Sequence, residues 1–246
     1  MRKLFAAALV AVMSFAALAA VALAQAPSPS TTAPTVTGSI SPSDAGTKSR
    51  PKASTIKLFV KNNRTDATVS RITIFLPKDV KLSGKGFPFC TAATLNSKGK
   101  VGCKAGTKAG SGTASAVVGP GRAPLKFTNT VYIGSANSLV FYVEQVGGTV
   151  RKALTAPITS AGGKFGRKLV INIPPDLQQP APGVFASLVD IKATIKATRR
   201  TSSLASTTGC PTGRKHRIGV TFGFTPNKNF PATGSVTNSG SSPCSR

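Results

Sequence analysis

The sequence predicts an all-β protein, an antiparallel β-sandwich with an open β-barrel as the alternative. Three observations lead there. Apolar and polar residues alternate strictly over many short segments, the pattern of a pleated strand whose successive side chains face opposite ways. Glycine and proline, 24 and 18 of the 246 residues, punctuate the gaps between those segments, as turns require. No long stretch repeats at the i, i+3, i+4, i+7 spacing of an amphipathic helix, and AATLNSKGK offers a single helical turn at most.

The chain begins with Met1, Arg2 and Lys3, followed by an apolar run from Leu4 to Ala24 broken only by Ser14. A basic start, an apolar stretch and small residues at Ala22 and Ala24 mark residues 1–24 as a secretory signal peptide cut after Ala24. If it is not cut, residues 4–24 become a membrane anchor. Residues 25–52 are rich in Pro, Ser, Thr and Ala and almost lack large apolar side chains. Such a segment buries too little surface to offset its ordering entropy, and it reads as a disordered linker. Residues 53–246 then form one domain, long enough to build a core without metals.

Each strand candidate in that domain has one apolar face. Ile56, Leu58 and Val60 share a face, as do Ile72, Ile74 and Leu76. Phe127, Val131 and Ile133 follow, then Leu139, Phe141 and Val143, then Leu169, Ile171 and Ile173. Ile191, Ala193, Ile195 and Ala197 continue the pattern, and Ile218, Val220, Phe222 and Phe224 close it. Seven or more such strands imply two packed antiparallel sheets.

Cys90, Cys103, Cys210 and Cys244 are the only cysteines. In an exported chain an even count reads as disulfides, with three possible connectivities, of which local pairing is the simplest. The C-x₂₋₄-C pair typical of a zinc site is missing, and so is a C-x-x-C redox pair, so no metal or cofactor is expected. The stretch GKGFPFCTAATLNSKGKVGCKAGTKAGSGTAS reads as a loop anchored by Phe87 and Leu95, closed by its cysteines, and turning into the next strand at Gly112.

Catalytic constellations find little support. The six acidic residues, Asp44, Asp66, Asp79, Glu144, Asp176 and Asp190, are dispersed, which disfavours the paired carboxylates of glycoside hydrolysis. Asp190 and Glu144 read as solvated strand positions. His216 is the sole histidine and shares a face with Ile218 and Val220, as a core-edge residue would. No G-x-S-x-G elbow accompanies it. The glycines after Cys103 fit neither a P-loop nor a complete G-x-G-x-x-G opening a helix.

Charge is the unusual feature. Thirty-two lysines and arginines face six acids, a net charge of +26, or +24 once Arg2 and Lys3 leave with the signal peptide. Such a field attracts polyanions. The tight clusters are Arg151-Lys152, Arg167-Lys168, Arg199-Arg200 and Arg214-Lys215-His216-Arg217. Candidate partners outside a cell are anionic wall polymers and lipid head groups. Specific nucleic-acid recognition is disfavoured, because stacking platforms need aromatics and the chain has no Trp and two Tyr. The function expected is therefore non-enzymatic association with a cell envelope. A wall-polymer hydrolase and a structural or adhesive surface protein are the alternatives.

The segment Phe87-Pro88-Phe89-Cys90, Ala93-Thr94-Leu95, Cys103, Gly106-Thr107, Gly110, Gly112 and Ala114 resembles a pattern in uncharacterised secreted proteins of high-GC Gram-positive bacteria. The likeness extends to INIPPDL, Cys210-Pro211 and Pro243-Cys244, and covers most of residues 56–246. It implies an exported all-β domain with two local disulfides, and it brings no activity with it. Relatives in that group often carry Trp where His216 stands, in keeping with a packing role.

Overall fold

The computed structural model describes residues 33–64, 66–119, 122–199, 202–226 and 234–245. The signal peptide over 1–24, the linker residues 25–32 and Arg200 lie outside them. Its strands are β1 (Thr35–Ser41), β2 (Lys52–Ala53), β3 (Thr55–Lys61), β4 (Thr68–Pro77), β5 (Val80–Leu82), β6 (Lys108–Val118), β7 (Leu125–Ser135) and β8 (Ser138–Gln145). They continue as β9 (Arg151–Ser160), β10 (Phe165–Asn172), β11 (Ala186–Ile195), β12 (Thr198–Arg199), β13 (Ser202–Ser203), β14 (Ala205–Thr207), β15 (Lys215–Thr225) and β16 (Gly234–Pro243). Two short helices, α1 (Ala92–Lys98) and α2 (Pro175–Gln178), interrupt the series.

Eleven strands form one sheet in the order β1-β3-β11-β6-β7-β8-β9-β10-β4-β15-β16, antiparallel at every pairing. The sheet rolls until its two edges meet. Ile40 donates its backbone N–H to Ser242 Oγ at 3.0 Å, and Asn238 Nδ2 donates to the Pro34 carbonyl at 2.7 Å. Glycine makes this seam possible, since a Cβ on Gly240 would lie 2.4 Å from the Val36 carbonyl oxygen. Opposite walls share one core: Leu58 and Phe141 belong to the same buried cluster as Ile74, Leu169 and Ile218. Sandwich and barrel thus merge in one all-β fold, two layers of a nearly closed sheet.

The alternating residues point inward as expected. Ile72, Ile74, Leu76, Leu139, Phe141, Leu169, Ile218, Val220 and Phe222 are all buried in a single core. A second, smaller cluster lies outside the barrel, where Leu95 and Cys90 cover Tyr132, Val140, Tyr142 and Ala153.

Three expectations need correction. Residues 35–41, placed in the linker, form β1, and its alternate residues Val36 and Ile40 are buried. Pairing with β3 over Thr35–Ser41 supplies the ladder that a Thr- and Ser-rich segment does not advertise. The segment AATLNSKGK is more than one turn: α1 spans seven residues and continues into a 3₁₀ turn. Thr91 caps it by accepting the Thr94 N–H, Ala and Leu suit a helix, and Leu95 docks it onto the barrel. Finally, the next strand does not start at Gly112. Gly110 and Gly112 lie inside β6, which begins at Lys108.

Candidate functional site

The barrel has two ends. At the upper end β6, β8 and β10 finish and β7, β9 and β11 begin; at the lower end the directions reverse. The cationic clusters read from the sequence are divided between them. Arg167, Lys168, Arg199, Arg214, Lys215 and Arg217 lie toward the lower end, on β10, β12 and the start of β15. Lys168 is opposite Phe75, which is opposite Gly219 two residues beyond Arg217. Two strand spacings thus separate β10 from β15, about 10 Å. Arg214, Lys215, Arg217 and Arg199 are exposed, and one Arg199 guanidinium N–H bonds the Gly86 carbonyl at 3.3 Å. Arg151 and Lys152 stand apart at the upper end, at the start of β9.

The carboxylates do little to neutralise the lower-end clusters, because most of them are engaged elsewhere. Asp44 pairs with Lys52, Asp66 with Arg64, Glu144 with Lys100 and Asp176 with Lys152. The Lys52 ammonium beside Asp44 holds that carboxyl below its usual range. Asp190 accepts the Ser115 hydroxyl at 2.5 Å, and Asp79 lies 3.3 Å from His216. The reading of Asp190 and Glu144 as free solvated positions is therefore refined: both face outward, and both are occupied. Arg64 is buried and also stacks on Phe224, its guanidinium carbon 5.1 Å from the ring centre. Among the described residues no other lysine or arginine has a side-chain carboxylate within 4.0 Å.

His216 is completely buried at the lower end. Burial pushes its imidazole below the ordinary value of 6.5, while Asp79 pulls the other way and loses. The contact at 3.3 Å is oblique, and neither ring nitrogen has an aligned hydrogen bond. A buried neutral imidazole takes up its proton less readily than the unfolded chain does. Its contribution to stability is therefore complete above about pH 6.5 and declines as pH falls below that value. Urea unfolding at pH 7.5 and 5.0 should show this decline, and His216→Leu should reduce it. An equal decline in the variant would assign it to other groups.

The disulfides are Cys90–Cys103 and Cys210–Cys244, with Cα separations of 5.3 and 5.8 Å. Both are local, and they accord with an oxidising environment. Among the described residues, no group of three or more His, Cys, Asp or Glu side chains converges. No helix among them is long and apolar enough to cross a membrane.

The alternation in KFTNTVYIG passed over a position. Phe127, Val131 and Ile133 face inward, and so does Asn129, which is only 4% exposed. An amide in a row of apolar residues was the available signal. Asn129 borders a cavity of about 180 Å³ at the upper end, walled by β3, β4, β6, β7, β8, β9, β10 and β11 and covered by Leu177 and Pro180. A second concavity is a shallow trough on the outer face of β1, β3, β11 and β6. There Lys192 lies over Phe59, 5.3 Å from the ring centre, among Thr37, Thr113 and Thr194. No protein-family model, curated protein or solved structure matches the chain.

Proposed function

We propose that the protein is exported and associates, without catalysing a reaction, with anionic polymers of a cell envelope, as a member of the secreted group its cysteine segment resembles. One observation carries this reading. Four of the six carboxylates pair with lysine or arginine outside the lower-end clusters and Asp190 is bonded to Ser115, so Asp79, buried against His216, is the one carboxylate beside those clusters and leaves most of their charge to meet an anion. Arg167, Lys168, Arg214, Lys215 and Arg217 present their charge from β10 and β15, two strands apart, a spacing suited to a flexible chain of phosphates or carboxylates rather than to a single small anion. Affinity would come from released counterions and would carry little sequence information.

The test is binding to immobilised poly(glycerol phosphate) at increasing salt. Four phosphate contacts would lower the affinity roughly 100-fold between 50 and 200 mM salt. The variant Lys168→Gln, Arg214→Gln, Lys215→Gln, Arg217→Gln should bind more weakly and with a flatter salt slope. Arg151→Gln, at the opposite end, should bind as the parent does. Binding that persists unchanged at high ionic strength would remove the electrostatic reading.

A further inference from the structure

We propose that the upper-end cavity is a binding site for a neutral apolar ligand that carries a single hydroxyl, donated to the Asn129 amide oxygen. The cavity is built into the sequence of β6. Of the residues that β6 turns inward at this end, Gly112, Ala114 and Ala116 are small, and they stand opposite Ala193, Ile191 and Leu188 of β11. β6 therefore brings little side-chain volume to this end of the barrel beyond Val118, and the larger Leu188 and Ile191 of β11 do not close the space beside it. Inward-facing Ala116, Val118, Phe127 and Leu188 are only half-buried, so the space opens to the outside at the mouth.

Asn129 turns this gap into a site. It stands opposite Gly112 and Val143 in the ladder and is more than nine-tenths buried, yet its Oδ1 has no hydrogen-bond partner. Leaving a buried acceptor unsatisfied is costly, and a position meant only for packing would be filled by valine or leucine. Water does not answer the need well, because a buried water requires two to four polar partners and the rest of the inner wall is apolar. A ligand with an apolar body and one donor satisfies both the amide and its surroundings.

Size and charge narrow the class. A cavity of about 150 Å³ lined by aliphatic side chains accepts benzene, so this one holds an aromatic ring or the end of a short alkyl chain, with any remainder passing through the mouth. No lysine or arginine lines the wall. Its one charged residue, Asp176, sits at the rim and is paired with Lys152. A carboxylate or phosphate head group would find no cation inside, so the inserted end is neutral. The site is at the opposite end from the proposed polymer surface and is independent of it.

Phenol and 1-hexanol serve as probes of the two sources of such a hydroxyl, with toluene and heptane as counterparts lacking the donor. Each is titrated into the protein while the methyl signals of Val143, Leu188 and Ile191 are followed by NMR. Saturable shifts with phenol alone would identify an aromatic ligand, and with 1-hexanol alone an alkyl one. Asn129→Leu should lower the preference for alcohol over hydrocarbon about fivefold to tenfold, the value of one hydrogen bond. Asn129→Val repeats the comparison should leucine prevent folding. Ala114→Leu, which fills the space, should abolish binding of both members of each pair. The proposal is overturned if neither alcohol shifts these methyls saturably, or if the preference is the same in the Asn129 variants.

Discussion

Replacing Cys210 and Cys244 together by alanine should lower the unfolding free energy by about 4 kcal/mol, the largest loss expected from removing any one constraint. The bridge closes a loop with a sequence separation of 34, and the chain-entropy relation assigns such a loop about that value. Its place in the fold adds a local consequence. Cys244 follows β16, a strand that turns almost nothing inward and whose side chains are mostly exposed. β16 is held by its ladder with β15 and by the seam with β1, and the bridge locks its far end beside the start of β15. Urea denaturation reads the total loss, and amide exchange should show β16 losing protection before β4 or β8. Removing Cys90 and Cys103 should cost less, about 3 kcal/mol for a separation of 13, with exchange confined to α1 and its flanks. A loss below about 1 kcal/mol for the Cys210–Cys244 pair would show that the ladder alone holds the edge.

Phe222→Ala should destabilise the protein by about 3–5 kcal/mol. Phe222 is fully buried in the middle of β15, opposite Ile72 of β4 and Val236 of β16. Truncation removes most of the ring's packing and leaves a cavity that three hydrogen-bonded strands cannot collapse around. For a chain of this length each kcal/mol lowers Tm by roughly 2–4 °C, so a drop on the order of 10 °C is expected. Its neighbour Thr221 faces outward, sharing an exposed hydrogen bond of 2.7 Å with Thr237. Thr221→Ala should change stability by no more than about 0.5 kcal/mol. Equal effects at the two positions would mean that β15 does not present alternate faces to core and solvent.

The strands legible in the sequence are those that alternate large apolar residues with polar ones. β3, β4, β7, β8, β10, β11 and β15 all do so, and each puts those residues into the core. β1, β6, β9 and β16 were harder to see. TVTGSIS, KAGSGTASAVV and GSVTNSGSSP are built from small and polar residues that a loop could equally use. Their strand state depends on partners distant in the chain, such as Ser39 opposite Lys57 and Ala114 opposite Ile191. Local propensity carries no record of such pairings.

The candidate sites divide in the same way. Composition alone established a strongly cationic protein with few acids and an even number of cysteines, because charge and residue type do not depend on folding. It also placed His216 with the core, since parity along a strand is a local property. Which cations gather at one end, and which carboxylates are drawn away from them, required the tertiary structure. Asp190 meets Ser115 across 75 residues, and Asp79 reaches His216 from the far side of the chain. The cavity depended on it most of all. Glycine and alanine on β6 look like turn residues until the ladders with β7 and β11 place them in the barrel wall, and Asn129 is an ordinary polar residue until the ladder turns it inward. A one-dimensional pattern states which face of a strand is apolar; only the closed sheet decides how much volume the faces leave between them.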